Sequence, residues 1–267
     1  MDDPIAGPEC EKNLRVVRKD FSSLPDGWYV DPEQGGQAMR GAIFDLDGTL
    51  ADTSGDLLAA ANAVLAPRGL PLLDGIADRP YAGRGGRSMI RRSLTIAGRP
   101  VDGAEEVALT DAIYPELLEA YGAALAVHTR LYDGVLACLD ALEERGWKLG
   151  VCTNKPEGLA LRLLEELDVL HRFGALLGAD TLPVRKPDPV HFTETCARIG
   201  AAPARSVMVG DTLNDLETAR NVGVPCVLTS FGFAAEPLAD LAPNAVVDHY
   251  REIAPLLETL SPAHQSA

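Results

Sequence analysis

From residue 41 onward the chain alternates short apolar runs with longer segments whose apolar residues recur every three or four positions. The runs at 41–45, 147–152, 174–178, 205–210, 224–228 and 245–247 have the length and the polar boundaries of buried strands. Between and after the later ones, the spacing predicts amphipathic helices at 133–145, 156–167, 188–199, 213–221 and 250–259. Strand and helix in strict alternation build right-handed crossover units on a parallel sheet, so the pattern predicts an α/β, doubly wound, Rossmann-like core. The rhythm breaks once. Helical patterns at 56–66, 87–97 and 104–126 follow one another with no strand between them, which predicts an α-helical cap over 54–128 inserted into the core. The core is then split into 39–53 and 129–260, with 261–267 left as a C-terminal tail.

Residues 1–38 show no period and mix Pro, Gly, Asp and Gln, with eight acids against four bases. They are expected to be a poorly ordered N-terminal extension, with Met39, at the head of the first apolar run, as an alternative or true start. Across all 267 residues 46% are hydrophobic, enough for one substantial core with a satellite. Lys and Arg number 24 against 39 Asp and Glu, a net charge of -15, which excludes a partner bound through a polyanionic nucleic-acid backbone. A small anion is still accessible wherever a lysine, a metal ion or a helix N-terminus reverses the field locally.

The five cysteines are scattered and form no CxxC pair, so neither a disulfide framework nor a zinc site is indicated. Cys152 is expected to pack inside a strand. The isolated histidines His128, His171, His191, His249 and His264 are expected at surface or loop positions. No apolar run reaches the length of a bilayer span. Together these features predict a cytoplasmic protein, monomeric or homodimeric, with no membrane or nucleic-acid partner.

Open parallel sheets bind ligands outside the carboxyl ends of their strands. The residues at those ends are Asp45 and Asp47, Thr153 and Asn154, Lys186, and Asp211 and Asp215. Turn forming and helix capping account for single residues of this kind but poorly for the whole set, above all for a lysine between apolar strands. In Asp45-Leu46-Asp47-Gly48-Thr49, two carboxylates two positions apart face one small volume, and Gly48 lets the backbone turn tightly. Two such charges need a cation between them or a raised pKa on one. With Asp211 added, and no His or Cys cluster nearby, the donors are all hard oxygens, which suits Mg2+. Lys186 adds a fixed positive charge, and Thr153 and Asn154 offer neutral donors for phosphoryl oxygens. The combination outlines a phosphoryl-transfer site.

The set Asp45-Leu46-Asp47-Gly48-Thr49-Leu50-Ala51-Asp52, Thr153-Asn154, Lys186-Pro187 and Gly210-Asp211 through Asp215 resembles, in order and spacing, the four motifs of the haloacid dehalogenase superfamily. The resemblance implies that Asp45 attacks phosphorus and becomes an aspartyl phosphate, while Asp47 protonates the leaving alkoxide and then activates water. It implies that Thr153 holds a phosphoryl oxygen and that Lys186 neutralises Asp45 and the phosphoryl group. Mg2+ would lie among the carboxylates of Asp45 and Asp211 and the backbone carbonyl of Asp47, with Asp215 in support. Asp52 is expected to be structural. Dehalogenases of this kind lack the second acid, so Asp47 favours phosphatase chemistry.

The segments 81–94, 150–156 and 229–233 are similar to those of phosphoglycolate phosphatases, which implies a small phosphorylated metabolite, 2-phosphoglycolate, as substrate. Arg84, Arg87, Arg91 and Arg92 could offer a fork to its carboxylate or could form a solvated helix face. Phe233 stands where such enzymes often carry tyrosine, so a hydroxyl contact there is not implied. Pyrophosphate, sugar phosphates and nucleotides are alternative substrates on the same fold. A non-catalytic binding protein is the alternative of another class.

Overall fold

In the computed structural model, residues 39–99, 103–234 and 237–261 are described. The expected extension at 1–38, the tail after Ser261 and His264 lie outside them. The strands are β1 (Gly41–Phe44), β2 (Ala51–Asp52), β3 (Arg130–Leu131), β4 (Lys148–Cys152), β5 (Ala175–Leu177), β6 (Val207–Gly210), β7 (Cys226–Thr229) and β8 (Ala245–Val247). Six of them form a parallel sheet in the order β5-β4-β1-β6-β7-β8. The chain winds outward from β1 through β4 and β5, then crosses to β6 on the other side of β1. The carboxyl end of β1 therefore lies at the reversal point, where such sheets open a crevice.

The helices are α1 (Ser54–Leu65), α2 (Arg79–Ala82), α3 (Gly86–Ile96), α4 (Ala104–Ala123), α5 (Val135–Glu144), α6 (Glu157–Glu166), α7 (Pro189–Arg198), α8 (Leu213–Val222) and α9 (Ile253–Leu260). All four residues of β1 are buried because both sheet faces are covered. Ile43 points to the side of α7 and α8, where it joins Phe192, Cys196, Leu216 and Ala219. Ala42 and Phe44 point the other way, into a cluster with Leu139 and Leu142 of α5, Leu163 and Leu164 of α6, and Leu257 of α9. That second cluster continues without a break into Leu58, Met89, Ile90, Leu94, Ile113 and Leu117 of α1, α3 and α4.

The predicted α/β architecture is borne out, and the differences are local. Strands β2 and β3, at the start and end of the helical insertion, pair antiparallel through Ala51 with Leu131 and Asp52 with Arg130, a ribbon too short to carry a sequence period. Helix α2 is one turn long and escaped the pattern for the same reason. The sixth strand of the chain starts at Val207 because Pro203–Arg205 forms a 3-10 turn, and another such turn, Tyr250–Glu252, precedes α9. At the base of the insertion Asp56 is buried and accepts hydrogen bonds from the Thr129 hydroxyl (2.7 Å) and from the backbone N–H groups of His128 and Thr129 (each 2.9 Å to its nearer oxygen). Cys152 is fully buried, as expected.

His191 corrects the sequence reading. His128, His171 and His249 are exposed, but His191 is fully buried on α7. Its Nε2 lies 3.0 Å from the Gly178 carbonyl and its Nδ1 3.3 Å from Cys152 Sγ. A carbonyl can only accept, so Nε2 carries the proton and Nδ1 accepts from the thiol. Burial lowers the His191 pKa to about 4. The imidazole is neutral in the fold and protonates more readily once unfolded, so its contribution is complete above the unfolded value and is lost as pH falls through the folded one. NMR titration should find His191 neutral until pH nears 4, and about 3 kcal/mol of stability should disappear between pH 6.5 and 4 on its account. An ordinary histidine titration midpoint would contradict this.

Candidate active site

Asp45 follows β1 directly, and its backbone N–H continues the pairing with β6 by donating to the Val209 carbonyl at 2.9 Å. The chain then turns sharply: Gly48 N–H donates to Ala51 O and Leu50 N–H to Leu46 O, each at 2.9 Å. Gly48 has φ +80°, and a Cβ there would overlap the Asp211 carboxylate. A Cβ at Gly232 would overlap Asp211 from another direction. Close backbone approach on both sides thus fixes Asp211, whose Oδ1 accepts from the Thr49 hydroxyl (3.1 Å) and whose Oδ2 accepts from Phe233 N–H (2.7 Å). The loop after β7 therefore serves the site through the backbone of Phe233.

Asp215 occupies the third position of α8 and forms a capping box with Thr212. Its Oδ2 accepts from the backbone N–H groups of Asp211 (3.2 Å) and Thr212 (3.0 Å) and from the Thr212 hydroxyl (2.8 Å). Its Oδ1 is left for Lys186, whose Nζ donates at 2.6 Å and also pairs with Asp45 Oδ1 at 3.0 Å. The Lys186 side chain is 1% exposed and Asp215's is fully buried. Burial opposes the charge on Lys186, but Asp215 and Asp45 overcome that and hold its pKa above the usual lysine range. For Asp45, burial outweighs the attraction of Lys186, and with Asp215 and Asp47 nearby its pKa rises to about 6. Burial, then Asp215 and Asp45, push Asp211 well above the carboxylate range.

Carboxylate oxygens of Asp45, Asp211 and Asp215 lie within 4.8 Å of one another. When all three are ionised, these buried carboxylates outweigh the Lys186 ammonium by two negative charges, so burial and this mutual repulsion make Asp45 and Asp211 resist ionisation. A hard dication balances that deficit, and the donor set is entirely oxygen, so the residues present fit Mg2+.

Thr153 is buried just past β4, and a hydrogen bond from its side chain favours the charged form of Asp45. Asn154 donates through Nδ2 to the Lys186 carbonyl at 3.0 Å, tying the two loops together, while its Oδ1 is buried with no partner. The Asp47 carboxylate stands outside the three-acid group and faces Lys155 instead, with Nζ at 2.9 Å from Oδ1 and 3.3 Å from Oδ2. Lys155 and its second partner, Tyr121, were not among the residues singled out from the sequence. Lys155 follows Thr153-Asn154 directly, and that adjacency was the available signal; for Tyr121 there was none.

Three of the four cap arginines pair with acids of the insertion itself: Arg87 with Asp111, Arg91 with Glu106 (3.8 Å) and Arg92 with Asp78 (2.7 Å). Arg87 also lies 4.3 Å over the Tyr114 ring. Arg84 is exposed on the turn after Gly83, which packs against Phe233. Arg79, absent from the sequence reading, joins insertion to core by donating to Gly232 O (3.0 Å) and Asp52 Oδ2 (3.1 Å), with Phe233 5.0 Å beneath it. Asp52 also accepts from the Ser54 hydroxyl at 2.6 Å, in keeping with a structural role.

The family model of the haloacid dehalogenase-like hydrolases matches residues 42–229. The phosphoglycolate phosphatase of Agrobacterium fabrum is 38% identical over 216 residues, covering 81% of this chain and 91% of the relative. That of Caulobacter vibrioides is 39% identical over 210 residues, covering 79% and 87%. The crystal structure of a predicted phosphoglycolate phosphatase from Haemophilus somnus superposes with a TM-score of 0.73 at 28% identity, covering 83% of this chain and 99% of that one.

Two substitutions test the geometry. Lys186→Met leaves Asp45 and Asp215 buried without their cation and should cost about 3–5 kcal/mol in urea unfolding at pH 8. Gly48→Ala should cost about 1–3 kcal/mol from its positive φ alone and displace Asp211 as well, so phosphatase activity should fall with stability. Wild-type stability in either variant would contradict the packing described.

Proposed function

The chain belongs to the haloacid dehalogenase-like hydrolases, and from that membership we propose that it is a Mg2+-dependent phosphatase working through phosphorylated Asp45, with 2-phosphoglycolate as substrate. The reaction class is phosphoric monoester hydrolysis. The observation that carries the mechanism is the buried Lys186 ammonium, 3.0 Å from Asp45 and 2.6 Å from Asp215. It favours an ionised nucleophile where burial opposes one, and it offers positive charge to the incoming phosphoryl group.

Asp45 attacks phosphorus as the bond to the leaving alkoxide breaks, and Asp47 gives that alkoxide its proton. The Asp47 carboxylate then takes a proton from water, which attacks the same phosphorus, releases phosphate and restores Asp45. Thr153 holds a phosphoryl oxygen. Asn154 holds the Lys186 loop in place, and Asp215 aims Lys186. Mg2+ held by the carboxylates of Asp45 and Asp211 and the backbone carbonyl of Asp47 would neutralise phosphoryl charge.

The substrate rests on the relatives, which are named phosphoglycolate phosphatases at 38–39% identity. Within the insertion, Arg84 is the arginine we assign to the substrate carboxylate, from its place beside Gly83 at the seam with Phe233. Arg87 is assigned to holding α3 on α4.

With Mg2+, a panel of 2-phosphoglycolate, pyrophosphate, sugar phosphates and nucleotides should give 2-phosphoglycolate the highest kcat/KM, and EDTA should abolish turnover. Asp45→Asn should lose at least about 1,000-fold in phosphate release while the chain still folds, as judged by circular dichroism. A panel led by another ester would overturn the substrate, and undiminished release by Asp45→Asn would overturn the mechanism.

A further inference from the structure

Lys155 has no part in the reaction as described, yet it is the second buried lysine of the site, with a side chain 3% exposed. Its ammonium brings together three distant parts of the chain. Asp47, on the turn after β1, faces it with both carboxylate oxygens, at 2.9 and 3.3 Å. Tyr121, on α4 of the helical insertion, accepts a hydrogen bond from it at 2.8 Å and places its ring centroid 4.2 Å from Nζ. Lys155 itself lies on the loop between β4 and α6, two residues after Thr153.

An exposed lysine-carboxylate pair is worth little, but burying one is costly unless its hydrogen bonds are satisfied in a fixed geometry. Here the two Asp47 oxygens and the Tyr121 hydroxyl satisfy it, and Tyr121 is only 1% exposed. The same contacts decide where Asp47 points. Its carboxylate is turned toward Lys155 and stands outside the group formed by Asp45, Asp211 and Asp215. An acid that protonates a leaving oxygen must come within hydrogen-bond reach of it, so whatever sets the direction of this carboxylate bears on the proton transfer.

We propose that Lys155 is a positioning residue: anchored on Tyr121 of α4, it holds the Asp47 carboxylate and makes the aim of the leaving-group acid depend on how the helical insertion sits on the core. The inference rests on the reading of Asp47 as the acid that serves the leaving group. It assigns Lys155 no contact with substrate and no proton of its own to transfer.

The leaving group supplies the test. An aryl ester such as p-nitrophenyl phosphate departs with little need of a proton, whereas an alkyl phosphate needs one. The value of kcat/KM reports on phosphoryl transfer to Asp45 whatever the rate of the later hydrolysis. Wild type, Lys155→Met, Lys155→Arg, Tyr121→Phe and Asp47→Asn are compared with Mg2+ on p-nitrophenyl phosphate and on the alkyl phosphate that wild type turns over fastest. Lys155→Met should lose at least about ten-fold more on the alkyl ester than on the aryl ester, and Lys155→Arg should recover part of the difference. Tyr121→Phe, which keeps the ring and removes the hydroxyl, should show a smaller split in the same direction.

Equal losses on both esters in Lys155→Met, or no loss at all, would overturn the proposal. If the Met variant fails to fold, as judged by thermal melting, the same criterion applies to Tyr121→Phe. Asp47→Asn separates the two levels of inference. A leaving-group split there but none in the Lys155 variants removes only the role of Lys155, whereas no split in Asp47→Asn removes the reading of Asp47 and the proposal with it.

Discussion

The ammonium of Lys186, enclosed between Asp45 and Asp215, is the contact on which the rest of the site depends. A carboxylate at the mouth of a parallel sheet is drawn toward its neutral form by burial and by other acids, and Asp45 lies near pH 6 even with the lysine beside it. Asp215 gives that lysine its place, and the same carboxylate caps α8 and receives the backbone N–H of Asp211. One side chain therefore fixes a helix start, a cation and the backbone of a second acid. A change there would disturb all three at once.

The overall charge of -15 and the local chemistry then become compatible. The acidity repels a polyanion at long range, but the carboxylates of Asp45, Asp211 and Asp215, less the ammonium of Lys186, create a deficit that a single dication would fill. The dense backbone around Asp211 serves the same end. Glycines at 48 and 232 let the chain close on its carboxylate from two sides, so the acid is held by sterics as well as by hydrogen bonds.

What could be read from the sequence was local in origin. The six strands of the parallel sheet are runs of three to five residues, buried throughout in β1, β5, β6 and β7, and the polar residues at their ends are placed by the alternation alone. The pair Asp45 and Asp47 and the segment from Asp211 to Asp215 are also local spacings. What escaped depends on contacts between distant segments. The arginines of α3 carry no mark of their partners, because Asp78 precedes α2 while Glu106 and Asp111 lie on α4. His191 stands alone in sequence and yet is enclosed by β4, α7 and the Gly178 carbonyl. Lys155 and Tyr121 meet across 34 positions. No period or motif encodes such a meeting.

The two buried lysines differ in what holds them, and the difference follows from topology. Lys186 is bound by Asp45, which follows β1, and by Asp215 of α8, both parts of the six-stranded core. Lys155 is bound by Asp47 from that core and by Tyr121 from α4, which belongs to the helices between the β2 and β3 ends of the insertion. A rigid displacement of α4 would leave every partner of Lys186 in place and take one from Lys155. The two ion pairs of Lys186 are thus made within the core alone, while the surroundings of Asp47 are tied to the insertion. On the proposed roles of Asp45 and Asp47, such an arrangement would keep the lysine contact of the nucleophile independent of the insertion and make the leaving-group side of the site the one sensitive to what the insertion encloses.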